Sequence, residues 1–150
     1  MEFLASDLTG EQDYAAAMQR RLERQQILYD QSHTFEFLLT EAALRWRPGP
    51  RELMVAQLDR IASVATLSNV TIGVVPLDVE AHAVPWHGFT LNEDVDDGEP
   101  FVQVETMHAY LTVERPEDVD VYRRQYAVLR ESAAMGQQLT DFLNSLRLEL

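Results

Sequence analysis

Phe35-Glu36-Phe37-Leu38-Leu39-Thr40-Glu41-Ala42-Ala43-Leu44-Arg45-Trp46 is the stretch on which the fold turns. Phe35, Phe37 and Leu39 recur every second residue with Glu36 between the first two, the pattern of a strand that begins near Thr34. Glu41-Ala42-Ala43-Leu44 is helix-like, and a helix of about one to two turns is predicted to open at Glu41. Arg47-Pro48-Gly49-Pro50 then stops that helix, since two prolines around a glycine cannot continue it.

Working outward, Pro50 suits the first turn of a further helix, where its missing N–H costs little. Leu53, Met54, Gln57, Leu58, Ile61 and Ala62 mark that helix's buried stripe, with an end near Thr66. Val70, Ile72, Val74 and Val75 form a nearly continuous apolar run, expected of a strand buried on both faces. Upstream, Tyr14, Ala17, Met18, Arg21, Leu22, Gln25 and Leu28 recur at helical spacing and predict an amphipathic N-terminal helix ending near Tyr29-Asp30. Downstream, residues 78–88 read as irregular. Phe89-Thr90-Leu91, residues 101–105 and residues 110–113 read as an antiparallel meander whose first hairpin carries an acidic Asp-Gly loop. Pro116 opens a helix with a stripe at Val119, Tyr122, Tyr126 and Leu129, running to about Ala134. Gly136 breaks it, and Leu139, Phe142, Leu143 and Leu146 continue the helical period. The expected class is α+β: one domain over residues 1–150, with a mixed sheet of about 4–6 strands covered by helices and helical segments at both ends.

Composition narrows the function classes. The chain of 150 residues carries 12 basic and 25 acidic side chains, and its formal charge of −13 opposes the phosphate neutralisation on which DNA binding depends. All twelve basic residues are arginines, which suggests a GC-rich genome. Arg20, Arg21 and Arg24 are the densest basic cluster, but Glu11, Asp13 and Glu23 stand beside them. The absence of cysteine excludes disulfides and thiolate metal sites. No run approaches the ~18–20 apolar residues of a membrane span, so a cytoplasmic location without membrane attachment is expected.

The motifs that suggest chemistry are weak. His82 and His87 lie five apart with Glu80 nearby, yet zinc needs three or four converging ligands and no HExxH is present. Asp94, Asp96 and Glu105 resemble positions 1, 3 and 12 of a calcium loop. Glu99 stands where that loop requires glycine, so a solvated hairpin tip is the better reading. Neither a nucleophile elbow nor a phosphate-binding glycine loop occurs. No metal, cofactor or catalytic residue is assigned, and the chain is expected not to be an enzyme.

Polar anchors inside an apolar pocket are the remaining possibility. Glu41 favours the positive end of its helix, or pairs with Arg24 or Arg45 at the edge of a cavity. Arg24 and Gln25 fall on or beside the core-facing side of the first helix. Trp46, Trp86, Phe89 and Tyr110 are candidate apolar walls, although aromatics in such positions are commonly plain core. The candidate ligand-binding set is therefore Arg24, Gln25, Glu41, Arg45, Trp46, Trp86, His87 and Phe89.

Four blocks, Arg21-Leu22-Glu23-Arg24-Gln25-Gln26, Phe35 to Trp46, Glu52-Leu53-Met54-Val55-Ala56-Gln57-Leu58 and Asn69-Val70-Thr71-Ile72-Gly73-Val74-Val75-Pro76, give the chain a further identity. In that order and spacing it resembles the domain of unknown function that follows a helix-turn-helix in many actinobacterial XRE-type, antitoxin-like regulators. The resemblance runs from about Tyr14 to about Gly136. It implies a regulatory domain that senses a small-molecule effector, forms a homodimer, or both. A small cognate partner protein is the alternative it implies. A helix-turn-helix of about 60–80 residues has no room before Tyr14. DNA contact is therefore expected only through an absent N-terminal domain. A metal-dependent hydrolase using Glu80, His82 and His87 is a distant third reading.

Overall fold

A computed structural model describes residues 25–93 and 98–150. The predicted N-terminal helix lies largely outside these residues, as do Arg24 and the Asp94–Asp97 part of the acidic loop. What is described ends as expected, with a 3-10 turn at Ile27–Tyr29 closed by Asp30.

The described residues divide into two compact units, 25–77 with 134–150, and 78–93 with 98–133. The first holds strand β1 (Phe35–Thr40), helices α1 (Glu41–Arg45) and α2 (Arg51–Val64), and strand β2 (Val70–Val75). The two-residue strand β6 (Ala134–Met135) and helix α4 (Gln137–Glu149) complete it. The second holds β3 (Thr90–Asn92), β4 (Phe101–Glu105), β5 (Tyr110–Val113) and helix α3 (Pro116–Glu131).

The class is α+β, with two three-stranded sheets where one mixed sheet of about 4–6 strands was expected. In the first, β1 runs parallel to β2 in the register Phe35↔Val70 to Thr40↔Val75. Parallel pairing needs a long return, which α1 and α2 supply. β6 pairs antiparallel with β2 through Gly73↔Met135 and Val74↔Ala134. The predicted helix from Pro116 therefore stops at Glu131, because Ala134 and Met135 leave it for the ladder. Gly136 follows at φ +56°, a backbone state that side chains rarely adopt, and resets the chain into α4.

β2 is central and buried at every residue but Thr71, as its nearly continuous apolar run predicted. Leu44, Leu58, Val64, Val70, Ile72, Val74, Leu139, Leu143 and Leu146 form the core of this unit. The second unit is an antiparallel meander, β3-β4-β5, with a core of Val102, Val104 and Val119. Phe89, Leu91, Val113 and Tyr122 pack around it. Among the described residues, no helix is long and apolar enough to cross a membrane.

Candidate functional site

Thr40 closes β1 and opens α1 at once. It pairs with Val75 in the ladder, and its hydroxyl accepts the Ala43 N–H at 3.3 Å, capping the first turn. That cap delivers Glu41 to a position where it is only 7% exposed. One carboxylate oxygen accepts the Leu77 amide at 2.8 Å, and the other accepts Arg45 Nε. Arg45 Nη1 continues to Glu149 Oε2 at 2.7 Å. Burial pushes the Glu41 carboxyl upward, but the Leu77 amide and the Arg45 guanidinium outweigh it and hold it below the usual range. Bonds to Glu149 and Glu41 raise Arg45. The relay joins the end of β1, the exit of β2 and the end of α4. Of the two partners expected for Glu41, Arg45 is the one seen; Arg24 lies outside the described residues.

The remaining candidates divide between the units. Gln25 and Trp46 belong to the first, where Gln25 is exposed and Trp46 is 71% exposed. Trp86, His87 and Phe89 belong to the second. Trp86 is 83% exposed and Tyr110 60%, so neither lies in an enclosed wall. His87 and Phe89 do meet, joined by Tyr122. The Phe89 and Tyr122 rings pack edge to face at 4.9 Å, and the His87 ring lies 5.8 Å from Tyr122. This is an aromatic anchor of α3 on the meander, reinforced by Arg123, which grips Glu93 at 2.6 and 2.8 Å. That bond is the main reason the Glu93 carboxyl sits low. Among the described residues, no three His, Asp or Glu side chains converge on a possible metal position.

Two features escaped the sequence reading. Asn69, 8% exposed, donates its side-chain amide to the carbonyls of Leu28, Asp30 and His33 at 2.9–3.1 Å. It pins the approach to β1 against the turn before β2. Its place in the Asn69–Pro76 block was visible, but nothing there announced a hub. The second is a groove of about 370 Å³ within the first unit, between the end of α2, β2 and the start of α4. Val70, Ile72, Leu139 and Leu143 give it an apolar floor, and Ala62, Thr66, Thr71, Gln137 and Thr140 form its rim. β6 meets only Gly73 and Val74, so the Val70–Ile72 end of β2 lacks a ladder neighbour on that side among the described residues. Gly136 caps α4 without a side-chain bond, so the first-turn amides at the rim receive no cap from it. Of the eight predicted site residues, the seven that are described do not line this groove.

An α+β domain built on a parallel β1–β2 pair, with a small open groove, is what the fold defines. The chain belongs to the family described as Domain of unknown function (DUF5753), whose family model matches residues 2–145. No curated protein and no solved structure matches it.

Proposed function

We propose that this chain is the non-enzymatic regulatory domain of an XRE-type transcriptional regulator of actinobacterial kind, acting in the cytoplasm and answering a small-molecule effector. The single observation that carries the sensor reading is the groove of the first unit. Its volume of about 370 Å³ falls at the lower end of small-molecule sites, and it brings apolar floor residues and polar rim groups together in one open groove. The effector is a compact apolar molecule with an acceptor, such as a carboxylate, at one end. The acceptor meets the first-turn amides of α4, the positive end of that helix, and the body lies on Ile72, Leu139 and Leu143. The charge of −13 argues against direct DNA contact by this polypeptide.

The reading is tested by thermal denaturation against a panel of small apolar carboxylic acids, alcohols and amides. A ligand at 100 times its Kd adds about 2.7 kcal/mol and raises Tm by several degrees. Ala62→Phe, at an exposed position on the rim, fills the groove; it should abolish the rise while leaving the free chain's Tm unchanged. A panel without effect, or a shift that survives Ala62→Phe and Thr140→Phe, would count against the groove.

A second reading, binding of a small cognate protein, is favoured by the exposed apolar side chains of the second unit. Trp86 is 83% exposed and Met107 86%, large apolar side chains that a bound partner would cover.

A further inference from the structure

The meander of the second unit ends in an unprotected edge. β5 pairs with β4 through Val102↔Val113 to Glu105↔Tyr110 and has no other strand neighbour among the described residues. Edge strands are normally blunted by charge, proline or a bulge. Tyr110-Leu111-Thr112-Val113 has none of these. Tyr110 is 60% and Leu111 54% exposed, and Met107 in the preceding turn is 86% exposed.

The hydrogen-bond phase of the edge follows from the turn. Thr106 donates its N–H to Ala109 O at 2.9 Å, so backbone groups directed at β4 belong to Ala109, Leu111 and Val113. Tyr110 and Thr112 therefore turn their N–H and C=O outward. We infer that β5 is a self-association edge, at which a second copy of this chain pairs antiparallel about a two-fold axis through Leu111.

Three features select a second copy and this register. A two-fold axis perpendicular to the sheet keeps both α3 helices on one face, which requires the axis to pass through a residue position. With Leu111 on the axis, Tyr110 of each copy faces Thr112 of the other. These are the residues whose backbone groups are free, and four inter-copy hydrogen bonds form within the strand itself. With Thr112 on the axis, the flanking bonds fall on Glu114, outside the strand. The Leu111 register also sets the two exposed leucines against each other in a narrow, non-hydrogen-bonded pair. It places His108 of each copy opposite Glu114 of the other, a complementary contact repeated twice.

A contact of four residues per copy lies at the small end of protein interfaces, so the dimer is a weak and reversible one. Because each copy carries −13, its long-range repulsion is screened by salt, and association tightens between about 50 and 300 mM ionic strength. The proposal is independent of the groove of the first unit and of its ligand.

The test exploits the absence of cysteine. Leu111→Cys introduces a lone thiol at a pair whose Cα separation is about 4.5 Å, inside the range a disulfide spans. Under mild oxidation the full-length variant should form a covalent dimer rapidly, and Thr90→Cys, exposed on the opposite edge strand β3, should not. In sedimentation velocity the native chain should show a salt-strengthened monomer–dimer equilibrium. Leu111→Glu, which sets two carboxylates face to face, and Thr112→Pro, which removes an outward N–H, should both be monomeric with native circular dichroism. Equal cross-linking of Leu111→Cys and Thr90→Cys overturns the proposal. So does a dimer that Leu111→Glu leaves intact, which would place the interface elsewhere. A native chain that stays monomeric at every salt concentration also overturns it, leaving the edge to an extended segment of a different protein.

Discussion

The two units each hold a three-stranded sheet but finish their surfaces differently. In the first, β2 lies between β1 and β6, and nine buried apolar residues from α1, α2, β2 and α4 close around it. In the second, a local meander is held to one helix by three buried valines and an aromatic contact. Its last strand has an open edge among the described residues. A sheet made of non-local parallel pairing has to bury its central strand on both faces to be stable. A meander forms from neighbours in sequence, and one helix on one face suffices. The first unit therefore spends its apolar residues on a core and leaves a groove at its seam. The second leaves apolar residues outside, where a partner can reach them.

The contrast is broken most strongly from within the cores. Leu143→Ala, in the larger core at 4% exposure, should cost about 3–4 kcal/mol by equilibrium urea unfolding. Val102→Ala, fully buried in the smaller one, should cost about 2 kcal/mol. If the two costs are reversed, the ranking of the cores is wrong.

A middle-sized effect comes from the Glu41 relay. Glu41→Gln keeps the side chain's shape but removes the charge, and should cost about 1–2 kcal/mol at neutral pH. The folded carboxyl is depressed below its ordinary value of 4.5. Its contribution is therefore complete above that pH and fades as pH falls through the lower folded value. Urea midpoints of the native and Glu41→Gln chains should converge below pH 4.5. A gap of constant size down to pH 3 would show that the charge contributes nothing. The smallest effect belongs to the surface pair Arg147–Asp59, 2.7 Å apart with both side chains about half exposed. Asp59→Ala should change stability by less than about 1 kcal/mol, and a larger loss would mean that α2 and α4 depend on it.

Much of the first unit was legible in sequence because its signals are local. β1, β2 and the short α1 lie where alternation, the apolar run and Glu41 put them. What escaped notice is non-local. Ala134 and Met135 sit inside a helical period, and only their pairing with β2 makes them a strand. The partition into two sheets depends on which strands meet, information that residues 78–88 do not carry. Arg45 and Glu149 are 104 positions apart, and no spacing rule reaches that far. The groove was invisible for another reason: small and hydroxyl residues such as Ala62, Ala65 and Thr140 line it, and these leave no distinctive mark in a sequence. Trp46 and Trp86, whose aromatic rings make them candidates for a pocket wall or plain core, each stand exposed.

Residue-resolved amide hydrogen exchange on the full-length chain, at low and high protein concentration, bears most directly on this contrast between a closed unit and an open one. Gly73 and Val74 amides, directed at β1 and β6, should exchange slowly at both concentrations, and Leu111 and Val113, bonded to β4, should be protected at both. Tyr110 and Thr112 should exchange fast when dilute and slow as concentration rises. Protection of Tyr110 and Thr112 already complete in dilute solution, or unchanged at high concentration while other amides respond, would contradict the account.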